Sequence, residues 1–71
     1  MSRYLIVIEE TPTGYSAYSP DLPGCVATGH DRANVEQAMR EAMLFHIEGL
    51  HAAGEPIPRA TSTSAYVDVA A

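Results

Sequence analysis

The sequence contains no lysine. Its four basic residues are all arginine and stand against nine carboxylates, giving a formal net charge of −5 over 71 residues. A surface of that sign repels phosphate backbones, so direct nucleic-acid binding is not expected. It suits a basic protein partner, and it suits simple solubility equally well. Cysteine is nearly absent too. Cys25 stands alone, which rules out an intramolecular disulfide, and no Cys/His spacing resembles a structural zinc site. A chain this short buries a smaller share of its surface than a larger one does. With neither staple available, the expected stabiliser is self-association into a homo-oligomer, a dimer or a tetramer. Long apolar runs are missing as well. The run Tyr4-Leu5-Ile6-Val7-Ile8 is too short for a signal-peptide core or a membrane span, so no membrane contact and a cytoplasmic location are expected.

What is present divides into strand and helix patterns. Residues 3–10 are rich in β-branched and aromatic side chains and lead into the turn-forming cluster Thr11-Pro12-Thr13-Gly14, which predicts a strand and a hairpin. Residues 15–19 predict a second strand, and residues 25–28 a third that ends at Gly29. Asp31 is a natural N-cap for a helix whose apolar positions Val35, Ala38, Met39, Ala42, Met43, His46, Ile47 and Leu50 keep the helical period. Arg32 with Glu36, and Glu36 with Arg40, stand at the spacing of stabilising ion pairs. Gly54 stops the helix, and Pro56 and Pro58 keep it stopped. Residues 65–69 then read as a fourth strand.

The resulting order is β-β-β-α-β, an α+β fold in a single domain spanning residues 1–71. A right-handed crossover through the helix lays the fourth strand parallel to the first, so the expected sheet order is 3-2-1-4, a degenerate ribonuclease-H-like arrangement. Tyr4, Ile6 and Ile8 alternate with Leu5 and Val7, so both sheet faces are apolar although one helix can cover only one of them. The uncovered face is the expected oligomer interface.

Between the second and third strand patterns lies Pro20-Asp21-Leu22-Pro23-Gly24-Cys25, where two prolines and a glycine impose one narrow backbone path. Together with Gly14-Tyr15-Ser16-Ala17-Tyr18 before it, and with Arg40-Glu41-Ala42-Met43 through Phe45-His46-Ile47-Glu48-Gly49-Leu50 after it, this stretch resembles the N-terminal partner-binding domain of HicB-type antitoxins. The resemblance runs from about Tyr4 to Pro58. It implies a non-enzymatic, antitoxin-like domain that binds and occludes a small basic ribonuclease of the HicA type. Many members carry a C-terminal DNA-binding domain, which is expected to be absent here because the sequence runs out after the fourth strand pattern. A solitary homo-oligomeric domain without a cognate toxin would share the same features.

Residues that could carry chemistry all have plainer readings. Cys25 could be a thiolate nucleophile, but only His30 is near it in sequence, and a small buried hydrophobe is the simpler account. His30, His46 and His51 lack the spacing of a helical metal pair, and His46 falls on the apolar helix face as a half-buried histidine. Glu9 and Asp68 would approach each other if the first and fourth strands were parallel neighbours, with Glu36 or Glu41 completing a metal cluster of the ribonuclease-H kind. The acidic surface argues against such a nuclease. No catalytic, metal-binding or cofactor-binding residue is assigned, and no cofactor is implied. Gly49, inside the helix pattern, marks either a close backbone approach or a fraying end.

Overall fold

A computed structural model of the chain describes residues 2–70. It contains β1 (Val7–Thr11), β2 (Gly14–Tyr18), β3 (Val26–Gly29) and α1 (Arg32–Ala52), in that order. β1 pairs antiparallel with β2, and β2 with β3, so the sheet order is β1-β2-β3 and the outer strands run parallel.

Register assigns the faces. Ile8, Ala17 and Ala27 stand opposite one another across the three strands, and Val7, Tyr18 and Val26 form the adjacent row. Directly opposed residues share a face, and successive rows alternate. Ala17 belongs to the buried core with Val35 and Met39 of α1, so its row faces the helix and the Val7 row faces away. Tyr4 and Ile6 extend the alternation beyond β1 and also pack against the core.

The turn after β2 supplies the centre of that core. Leu22 donates its N–H to the Ser19 carbonyl and accepts one from Cys25, each at 3.2 Å, so two turns follow in succession. Gly24 takes φ 84°, a left-handed conformation that suits glycine. The path drives Leu22 inward until it is fully buried beside Val35 and Met39. Each of these side chains contributes about 1.5–3 kcal/mol by leaving water. Ser19 is buried with them, and its hydroxyl donates to the Leu5 carbonyl at 2.8 Å, which satisfies it and ties the turn to the N-terminal segment.

α1 begins where the sequence predicts. Asp31 has extended backbone geometry, and its carboxylate accepts the Asn34 N–H at 2.8 Å. The far end closes with Gly54 at φ 71°, whose N–H reaches the His51 carbonyl, while the Glu55 N–H reaches that of Leu50. This pair of bonds is a Schellman cap. The helix lies chiefly over β3 and β2. Its first turn sits so close to the end of β3 that a Cβ on Gly29 would fall 2.6 Å from the Val35 nitrogen.

Several expectations need correction. Residues 65–69 belong to no strand, and among the described residues the sheet has three strands, without the parallel fourth strand of the ribonuclease-H-like arrangement. The tail is instead held by polar ties upstream: the Tyr4 hydroxyl donates to the Pro58 carbonyl at 2.5 Å, and Asp21 holds Thr61 and Ser62. β1 starts at Val7 rather than at residue 3, because β2 ends at its partner Tyr18 and the following segment is committed to the proline turn. At the other end both strands run up to the Pro12-Thr13 hairpin loop, where Thr11 pairs with Gly14. On the helix, Arg40 donates to the Gln37 side chain at 2.8 Å instead of engaging Glu36. Gly49 does not mark fraying, since α1 continues through it to a capped end, and a Cβ there would meet nothing within 4 Å.

Candidate partner-binding surfaces

The apolar stripe of α1 that meets the sheet comprises Val35, Met39, Ala42, Met43 and Ile47. Leu44 and Phe45 lie off that stripe, 59% and 80% exposed. Glu41 and Glu48, also exposed, stand three and four residues from each of them, so all four share one outward helix face. Glu41 is steadied by the Gln37 amide, which donates to its carboxylate at 3.0 Å. An apolar pair framed by carboxylates has the composition of a docking surface, one whose charge would favour a basic partner. The sequence reading missed it, although the signal was there: Leu44 and Phe45 break the period of the core positions around them.

A second apolar surface is the row Val7, Tyr18 and Val26 on the sheet face away from the helix, with Val26 67% exposed. The alternation in the first strand pattern foretold it. Glu9 lies on the same face, opposite Ser16.

The candidate chemical groups are dispersed. Cys25 is buried, and desolvation pushes its thiol above the usual range, the opposite of what a nucleophile requires. His30 is exposed just past β3, His46 is half-buried on α1, and His51 is exposed in its last turn. Asp68 lies in the tail, outside any strand, and no ladder among the described residues brings it beside Glu9. Among the described residues no group of three or more His, Cys, Asp or Glu side chains gathers as a metal site. Two carboxylates do have defined work, and it is structural. Asp31 caps α1, and its pKa is lowered first by the Asn34 N–H. Asp21 holds the tail, and its pKa is lowered first by the Ser62 N–H.

A three-stranded antiparallel sheet under one helix, with Leu44 and Phe45 displayed on the outer helix face, defines a small α+β unit. Among the described residues no helix is long and apolar enough to cross a membrane. A family model for the HicB-like antitoxin of bacterial toxin-antitoxin systems matches residues 4–70, and the chain belongs to that family. It is 34% identical over 65 residues to an uncharacterized protein from the rep-hol intergenic region of Haemophilus phage HP1, covering 92% of this chain and 49% of the phage protein. A UPF0150 protein of Synechocystis is 34% identical over 58 residues, covering 80% of this chain and 73% of the relative. Among solved structures, a chain of a HicA3 and HicB3 toxin-antitoxin complex superposes with a TM-score of 0.68 at 38% identity, covering 78% of this chain and 64% of that one. This chain thus spans about half the length of the phage relative and under two thirds of the matched chain in the complex.

Proposed function

We propose that this chain, acting as one domain, is an antitoxin that neutralises a small basic ribonuclease of the HicA type by binding and occluding it, without chemistry of its own. The observation that carries the reading is the outward face of α1, where Leu44 and Phe45 stand exposed between Glu41 and Glu48. Exposed aromatic side chains are frequent anchors of protein interfaces. The surrounding carboxylates, on a chain of net charge −5, steer a cationic partner and disfavour RNA. Membership in the antitoxin family and the likeness to a chain of a toxin-antitoxin complex support the same reading.

The test is co-expression with a small basic ribonuclease of the HicA type, followed by co-purification and an RNA-cleavage assay. The complex is expected to be retained and cleavage suppressed. Phe45→Arg should weaken retention roughly thirtyfold or more, the loss typical of a central anchor of about 2 kcal/mol. Its melting temperature should stay put, because Phe45 is not part of the core. Failure to retain the partner, or full retention by the Phe45→Arg variant, would defeat the proposal.

A further inference from the structure

Gly49 is the glycine that the fold itself does not explain. Gly24 and Gly54 take positive φ, and a Cβ on Gly14 or Gly29 would collide with backbone. Gly49 has neither reason. It lies within α1, its carbonyl accepts the Ala53 N–H at 3.0 Å, and a Cβ on it would meet nothing within 4 Å. Glycine weakens a helix interior relative to alanine. The chain therefore carries a penalty that no contact of its own requires.

The surroundings of Gly49 form a notch beside a knob. Helical side chains lean toward the helix N-terminus, so the surface over one residue is covered by those three and four positions further on. For Gly49 these are Ala52 and Ala53, both exposed and both too short to cover it. One turn before it, on the same side of the helix, stands the exposed Phe45. The α1 backbone is thus bare at Gly49, with an aromatic ring next to it. The charge there is negative. The last turn of a helix carries the negative pole of its dipole, Glu48 precedes Gly49, and Glu55 closes the cap through its bond to the Leu50 carbonyl.

We propose that Gly49 is the point where a basic protein partner comes closest to this chain, its backbone lying directly against that of α1 while Phe45 packs beside the crossing. This role rests on the antitoxin reading and adds to it: Phe45 is the anchor, and Gly49 sets how near the partner can come and so which partners fit. Glycine suits such a position because it lets another backbone approach where any Cβ would hold it off. Alanine would serve the free helix better, so the residue trades stability of the chain alone for contact with the partner. The dipole and the two carboxylates favour a cationic side chain at the same crossing.

Titration calorimetry of the full chain with a small basic ribonuclease of the HicA type, accompanied by thermal melts, tests this. Gly49→Ala and Gly49→Leu should melt no lower than the unmutated chain, yet bind about tenfold and about a hundredfold more weakly. Ala33→Leu makes an exposed change at the opposite end of α1 and should bind as the unmutated chain does. Binding unaltered by the Gly49 substitutions, or an equal loss from Ala33→Leu, would overturn the role of Gly49 and leave the antitoxin reading standing. Absence of binding by the unmutated chain would overturn both.

Discussion

Asp21 and Ser62, 41 residues apart, are joined twice: the carboxylate accepts the Ser62 backbone N–H at 3.0 Å and the Ser62 hydroxyl at 2.9 Å. Thr61 donates its own N–H and hydroxyl to the same carboxylate. Four donors on one aspartate turn the proline loop into a clamp on the tail. An aspartate inside the turn from Ser19 to Leu22 is therefore also the residue that sets where the C-terminal tail departs.

The clamp should be acid-sensitive. Hydrogen bonds to the ionised form, led by the Ser62 N–H, lower the Asp21 pKa below its ordinary 3.8. A folded-state value below the unfolded one means that the contribution is fully present above the unfolded pKa and disappears as pH falls through the folded one. Tail protection measured by hydrogen exchange at Thr61 and Ser62 should hold at neutral pH and fall away below 3.8. Asp21→Asn should expose the same amides at all pH values. Protection that survives acid unchanged would remove Asp21 from this role.

Leucines at two positions should behave differently. Leu22 is fully buried, so Leu22→Ala should cost about 2–5 kcal/mol in urea unfolding. Leu50 is only half-buried and is not among the residues packed against the core. Although its helical spacing marks it as a core anchor, Leu50→Ala should cost no more than about 1 kcal/mol.

Two glycines should respond in opposite directions. Gly29→Ala places a methyl group 2.6 Å from the Val35 nitrogen, and forcing α1 away from β3 should cost about 1–3 kcal/mol. Gly49→Ala meets open space inside a capped helix and should stabilise by about 0.5–1 kcal/mol. For a domain of this size thermal melts should move about 4–8 °C per kcal/mol, downward for the first and upward for the second.

Cys25 should be inert while the protein is folded. Burial both hides the sulfur and raises its pKa, so alkylating reagents should label it only after denaturation. Rapid labelling of the native protein would mean that the turn opens around Leu22 far more readily than its packing implies.

Local chemistry made much of this legible in the sequence. Asp31, the helical period from Val35 to Ile47, and Gly54 each act within a few residues of their own position, and the structure uses them as the pattern predicts. Gly24 likewise adopts the left-handed backbone that the turn demands. What the sequence left hidden depends on distant partners. The pattern at residues 65–69 records a preference for extended backbone but not where a ladder partner lies. Leu22 looked like one more turn residue because its burial depends on where the path around Gly24 points it. Leu44 and Phe45 carried the clearest unread signal, as large apolar residues on the wrong side of an otherwise regular stripe. The Asp21 clamp could not be read from spacing at all.

The Schellman cap at Gly54 marks a change in the kind of interaction that holds the chain. Before it, the core elements are ladder, helix and packed side chains; after it, the identified ties run from Tyr4 to Pro58 and from Asp21 to Thr61 and Ser62, all hydrogen bonds at the margin of the core. Such a segment can detach while the sheet and helix stay intact, so it is the first unit to open as stability falls. Peeling and rebinding of the tail would then run on its own clock, faster than unfolding, and a pull on the residues beyond Ser62 has only those few bonds to displace.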